Sequence, residues 1–159
     1  MTTSRLLVGG IGNVFLGDDG FGVEVVRRLA PRVSRQDVAV VDFGIRGIDL
    51  TYALLEHERV ILVDATPRGR APGTLYVVAP DVAMLEDAFG VEPHSLVPER
   101  ALAAARTMGA RFTFLRLVGC EPARLPDDED VVVGLSAQVA AAVDGAVELV
   151  EELVEAGDA

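Results

Sequence analysis

The sequence predicts an α/β fold: a single domain, residues 1–159, in which helices flank a five-stranded, mostly parallel sheet in three layers. Short apolar runs alternate along the chain with amphipathic helical patterns, as in parallel sheets with crossover helices. The run 59–65 is hydrophobic almost throughout, which is typical of a strand covered on both faces. No internal repeat, low-complexity tract or linker divides the chain.

The first half of the chain predicts three strands and two helices. Residues 5–9 form a short buried strand that ends at glycines. Residues 20–29 place apolar side chains at helical spacing, and a proline at 31 closes that helix. A second strand spans 37–43, a short helix follows a glycine-rich turn and ends at Leu55, and the third strand spans 59–65.

The second half adds two strands and the remaining helices. Residues 74–78 form a fourth strand, and its connection to the third is too short for a crossover, so we expect it to be antiparallel. One or two helical turns are expected within 81–89 and a helix around 98–108. A fifth strand is predicted at 111–118. The final helix, 136–156, repeats valine every three or four residues.

Composition and charge exclude several classes of protein. The formal net charge is −11, and the arginines are scattered without a stripe or interleaved aromatics, which argues against nucleic acid as the main partner. The lone Cys120 allows no internal disulfide. No early apolar run is long enough for a signal peptide or membrane span, so we expect a cytoplasmic protein. We also expect it to be a monomer.

Acidic residues follow the predicted strands repeatedly. In an open α/β sheet, ligands gather at the carboxyl ends of the strands. A histidine lies in a proline-flanked loop that could fold over the same edge. Carboxylates with one imidazole suit nickel or zinc better than calcium, so these residues form an incomplete ligand set for a transition metal. The residues concerned are Asp18, Asp19, Asp42, Asp64, Glu121 and His94.

Other interpretations of these residues exist. Asp18 or Asp19 could cap the helix that begins near position 20, although only one of them can be the cap. The glycines at 10 and 12 after a strand also suggest a dinucleotide fold, but Phe15 occupies the third glycine position, and the two acids would lie near the pyrophosphate. Cys120 is most simply a small buried hydrophobic residue, and a thiolate ligand is the alternative.

Taken together, the motifs resemble the hydrogenase maturation proteases, the endopeptidases that trim nickel–iron hydrogenase large subunits. The resemblance covers nearly the whole chain. It begins with GIGNVFLGDDGFGVEVVRRL and continues through DFGIRGIDL, ILVDATPRG, APGT, PHSL, LVGCEP and GLSAQV.

The resemblance implies an endopeptidase, grouped with the aspartic type, that removes a C-terminal extension from the large-subunit precursor once nickel is in place. It assigns the nickel ligands and catalytic residues to Asp19, Asp64 and His94. Relatives often carry glutamate where this chain has Asp19, so Asp18 stays an alternative ligand. Either the metal polarises the scissile carbonyl or an aspartate acts as general base. A nickel-sensing or chaperone-like module that does not cleave is the alternative function.

Overall fold

The computed structural model describes residues 5–81, 97–126 and 129–157. Five strands form one sheet in the order β2-β1-β3-β5-β4. All neighbouring strands pair in parallel except β4 and β5, which are antiparallel. The strands are β1 (Leu6–Ile11), β2 (Val38–Gly44), β3 (Arg59–Ala65), β4 (Leu75–Val78) and β5 (Phe114–Cys120).

Helices cover both faces of the sheet and complete the three layers. On one face α1 and α4 pack together over a valine-rich core, and on the other α2 and α3 pack over a leucine-rich core. The predicted fold class is confirmed, whereas the helical turns expected within 81–89 lie outside the described residues. The helices are α1 (Phe21–Leu29), α2 (Gly47–Glu56), α3 (Val97–Thr107) and α4 (Ala137–Ala156).

The predicted direction of β4 is confirmed, but the predicted bounds of β5 are wrong by two or three residues. Leu75 pairs with Cys120 and Val78 with Leu117, so the two strands run in opposite directions. The fifth strand was predicted at 111–118 but runs from Phe114 to Cys120. Gly119 and Cys120 stay within the ladder because Asp64 and Ala65 of β3 pair with them.

The sheet order places a crevice between β1 and β3. The chain leaves β1 toward β2 on one side of it and later returns as β3 on the other side. Ligands in open α/β sheets bind where the strand order reverses in this way, outside the carboxyl ends of the strands. Asp19 follows β1 and Asp64 lies in β3, so the topology brings these two acids to the same edge. In the described part of the chain, no helix is both long and apolar enough to cross a membrane.

Gly22 lets α1 begin directly above this crevice. A Cβ at this position would overlap the carbonyl oxygen of Val63 and lie 2.5 Å from that of Ile11. Neither carbonyl can give way, because β1 and β3 are buried at the centre of the sheet. The absence of a side chain at Gly22 therefore sets how closely α1 approaches the sheet.

Gly22→Ala is expected to destabilise the fold by about 3 kcal/mol, because the added methyl group forces the helix away from the sheet. Chemical denaturation of the purified variant measures this change. Gly145→Ala is the matched control: it also adds a methyl group within a helix, but the nearest atom is the flexible end of Leu75, 3.3 Å away. It should be neutral or stabilising by up to about 1 kcal/mol. Equal losses in both variants would contradict the close-approach argument.

Candidate active site

A tight loop after β1 presents the two tandem acids. Gly12 has a φ of 141°, and the chain then makes a short 3-10 turn, Gly17–Gly20, before α1 begins. The Oδ2 atom of Asp19 accepts a hydrogen bond from the backbone N–H of Asn13 at 2.8 Å. The capping residue of α1 is Gly20, without a side-chain hydrogen bond, so neither Asp18 nor Asp19 caps this helix.

Asp18 is buried and holds distant segments together. Its Oδ1 accepts from the backbone N–H of Ser136 at 2.7 Å. Its Oδ2 accepts from the Ser136 hydroxyl at 2.9 Å and from the backbone N–H groups of Ala123 at 2.9 Å and Arg124 at 3.5 Å. With only 2 % of its surface exposed, the Asp18 carboxylate is occupied in joining the loop after β1 to the start of α4.

Asp64 lies near the carboxyl end of β3 and is half-buried. The surrounding protein excludes much of the solvent from its carboxylate. Burial raises the pKa of Asp64 well above its ordinary value, and the negative charges of Asp19 and Glu99 raise it further. A hydrogen bond from the backbone of Ala65 opposes these effects. The Asp64 carboxylate therefore lies close enough to Asp19 for the two charges to repel, as the sheet order predicts.

Glu99, in the first turn of α3, is a neighbour of this site that we did not predict. Among the described residues, its Oε2 atom is buried and has no hydrogen-bond partner. Burial raises the pKa of Glu99, while its own backbone N–H and the charge of Arg68 lower it. An acid at a helix start usually serves the helix dipole, so sequence alone gave little reason to place Glu99 beside Asp64.

The remaining predicted acids do not join this group. Asp42 is exposed on the far side of β1, and its backbone carbonyl accepts from the Arg46 guanidinium. His94 lies outside the described residues. Within the part of the chain that the structure describes, no three His, Cys, Asp or Glu side chains are grouped closely enough to hold a metal ion. Asp19 and Asp64 are thus the two predicted ligands that the described structure brings together.

Glu121 organises the loop between β3 and β4. Its Oε1 atom accepts from the backbone N–H groups of Arg68 at 2.8 Å and Arg70 at 2.9 Å, and from the Tyr76 hydroxyl at 2.7 Å. The Tyr76 hydrogen bond is the main cause that lowers the pKa of Glu121, with the backbone donors adding to it against the effect of burial. Glu121 therefore has a structural role at the edge of the site.

Glu121→Gln is expected to lower the melting temperature at neutral pH, because the amide replaces a charged acceptor of three hydrogen bonds. The folded-state pKa is lowered, so this stabilisation is complete above the ordinary pKa of 4.5 and is lost as pH falls below it. Thermal unfolding followed by circular dichroism should show a difference from wild type at pH 7 that narrows in acid. Glu148→Gln, on the exposed face of α4, is the control; a difference independent of pH would contradict this account.

Cys120 is buried at the end of β5, in surroundings that disfavour its thiolate form. Burial, with the charges of Asp18 and Glu121, raises its thiol pKa to about 11. Its sulfur lies 3.7 Å from the backbone oxygen of Glu121. These surroundings favour the interpretation of Cys120 as a small hydrophobic core residue.

Comparison with known proteins identifies the family of this chain. Residues 23–153 match the family model described as hydrogenase maturation protease. The chain belongs to the hydrogenase maturation protease family. The resemblance drawn from the motifs is thereby confirmed.

Individual relatives extend this match over most of the chain. The hydrogenase expression/formation protein HupD of Rhodobacter capsulatus is 37 % identical over 152 residues, covering 94 % of this chain and 71 % of its own. HupD of Rhizobium leguminosarum bv. viciae is 38 % identical, and the match spans only 62 % of that protein's length. The solved hydrogenase maturating endopeptidase HybD from E. coli superposes with a TM-score of 0.81 at 31 % identity, covering 96 % of this chain and 94 % of its own.

Proposed function

We propose that this protein is an endopeptidase that removes the C-terminal extension of a nickel–iron hydrogenase large-subunit precursor. In this proposal, Asp19, Asp64 and His94 recognise nickel that the precursor already carries, and other divalent metals could substitute. The observation that supports it best is the meeting of the Asp19 and Asp64 charges at the crevice between β1 and β3. Family membership supplies the reaction class.

The electrostatics of the two acids favour a cation between them. Asp64 is desolvated and is repelled by the charges of Asp19 and Glu99, so its ionised form is disfavoured in the free protein. A divalent cation would relieve both the repulsion and the desolvation. Carboxylate oxygens together with the imidazole of His94 form a donor set that nickel accepts. A precursor that presents nickel would therefore bind better than one without it.

In this proposal, Asp64 also acts as a general base. A cation bound beside Asp64 would favour its ionised form, which is the form that can accept a proton. It would accept a proton from water as the water oxygen attacks the scissile carbonyl, and return that proton to the leaving amine. Asp19, fixed by the N–H of Asn13, would hold the bound cation while the peptide bond breaks. Nickel in the substrate would supply the positive charge that positions the scissile bond.

Apolar side chains at this edge fit a protein substrate. Phe15 follows β1 and is 58 % exposed, and Ile45 follows β2 and is 65 % exposed. Ile48, in the first turn of α2, is 74 % exposed. The loops after β1 and β2 are joined by a backbone hydrogen bond from Gly12 to the Gly44 oxygen at 2.9 Å. Exposed apolar groups around a charged site are typical of surfaces that bind another protein.

The decisive experiment compares two forms of one large-subunit precursor that carries a C-terminal extension. The purified protein is incubated with nickel-loaded or nickel-free precursor, and mass spectrometry detects the released peptide. We expect release from the nickel-loaded form alone. Binding of the loaded precursor without any release would indicate the non-cleaving module instead. Equal release from both forms would disprove recognition of nickel.

A further inference from the structure

Three arginines surround a depression at the opposite edge of the sheet from Asp64. They come from the end of α3, from the loop that follows it and from β5, and the depression has a volume of about 490 Å³. The sequence suggested scattered arginines, but the fold gathers three of the chain's 14 basic residues here. We call this feature the arginine pocket; its main lining residues are Asp81, Arg106, Arg111, Phe112, Leu115 and Arg116.

The charge of the arginine pocket is opposite to that of the whole protein. Among the residues that the structure describes, its lining carries three guanidinium groups and one carboxylate, that of Asp81, whereas the chain has a net charge of −11. Arginine's planar fork of donors matches the oxygens of phosphate and carboxylate groups, often with two hydrogen bonds at once. The charge pattern is therefore complementary to an anion.

Arg116 is held in place before any ligand arrives. Its guanidinium lies over the ring of Phe114, 4.5 Å from the ring centre, and its Nη1 donates to the Leu115 oxygen at 2.8 Å. A donor that is already ordered loses less conformational entropy on binding than a free surface arginine. Phe112 and Leu115 add an apolar wall beside the charges.

We propose that the arginine pocket binds a small anion that carries two or more phosphate or carboxylate groups. Its volume lies within the range of small-molecule sites, about 300–1,000 Å³. A nucleic acid is a poor fit because the remaining acidic surface repels a long polyanion. Asp64 pairs with Gly119, whereas Arg116 lies three residues earlier in β5, roughly 10 Å along the strand, and Arg111 precedes that strand. This binding is therefore separate from the proposed peptidase site.

The test titrates the full chain with pyrophosphate and, separately, with citrate, following backbone amides by two-dimensional NMR. Sodium chloride at matched ionic strength is the blank. We expect saturable shifts concentrated in residues 106–116 with a Kd below about 1 mM. Tighter binding of pyrophosphate would identify phosphate as the recognised group, and tighter binding of citrate would identify carboxylate.

Arg111→Gln should weaken this binding about tenfold or more, since it removes one charge-assisted partner of the anion. Arg111→Lys keeps the charge without the fork and should weaken it less. Arg27→Gln, an equal change of charge on the exposed face of α1 in the other helical layer, is the matched control. Shifts no larger than those in chloride, or equal losses in the Arg27 and Arg111 variants, would overturn the proposal. Shifts that depend on protein concentration would also overturn it, because they would show that a second copy of the chain binds at the pocket.

Discussion

Asp64→Asn is expected to slow precursor cleavage about a hundredfold or more while leaving the folded protein as stable as wild type, or more so. The amide can neither accept a proton from water nor present a second negative oxygen to a cation, and loss of a general base typically costs at least this factor. Stability does not suffer because the wild-type carboxylate is desolvated and lies near the charges of Asp19 and Glu99. Removing that charge relieves the repulsion.

The stability change in Asp64→Asn should depend on pH. The pKa of Asp64 is raised in the folded state, so the folded protein holds its proton more tightly than the unfolded chain does. Wild-type stability from this group is therefore complete below the ordinary pKa of 3.8 and is lost as pH rises through the folded-state pKa. Asp64→Asn does not lose stability in this way, so its free energy of unfolding should exceed that of wild type by more at neutral pH than in acid.

Single-turnover cleavage assays and urea denaturation at several pH values measure the two effects separately. Asp144→Asn is the control, because Asp144 is a surface residue of α4 whose side chain is 83 % exposed and pairs with Arg28. It should leave the cleavage rate unchanged. If Asp64→Asn cut the nickel-loaded precursor at the wild-type rate, Asp64 would have no part in the reaction.

Much of the fold could be predicted because its signals are local. The continuous apolar run of β3 and the helical spacing of valines in α4 are visible within short windows of sequence. The approach of the tandem acids to Asp64 also followed from the pattern, since the carboxyl ends of parallel strands meet at one edge. These predictions required no knowledge of which distant residues touch.

The separate roles of the acids could not be predicted, because they depend on contacts between distant parts of the chain. The donors to Asp18 lie 105 to 118 residues away, and those to Glu121 lie 45 to 53 residues away. In the sequence, Asp18 and Asp19 are equivalent members of a pair. Only the folded chain shows that Asp18 binds backbone donors from two remote segments while Asp19 lies near Asp64.

Asp18→Ala is expected to destabilise the fold by on the order of 3–5 kcal/mol, with a fall in melting temperature of roughly 10 °C. The substitution leaves the N–H groups of Ala123 and Ser136 and the Ser136 hydroxyl without their charged acceptor. Since Asp18 is 2 % exposed, water cannot readily replace it. A loss of this size is a large part of the total stability of a typical domain, about 5–15 kcal/mol.

Asp18→Asn tests the same contacts in a variant that retains more structure. The amide keeps one acceptor oxygen but turns an N–H₂ group toward donors, so we expect an intermediate loss of stability.

Asp19→Ala is the matched control one residue away. It loses the hydrogen bond from Asn13 and should change stability by about 1 kcal/mol while abolishing precursor cleavage. The two acids would then have different roles, with Asp18 required for folding and Asp19 for activity. Urea denaturation and the cleavage assay on all three variants test this division of roles. A destabilisation by Asp19→Ala as large as that by Asp18→Ala would contradict it.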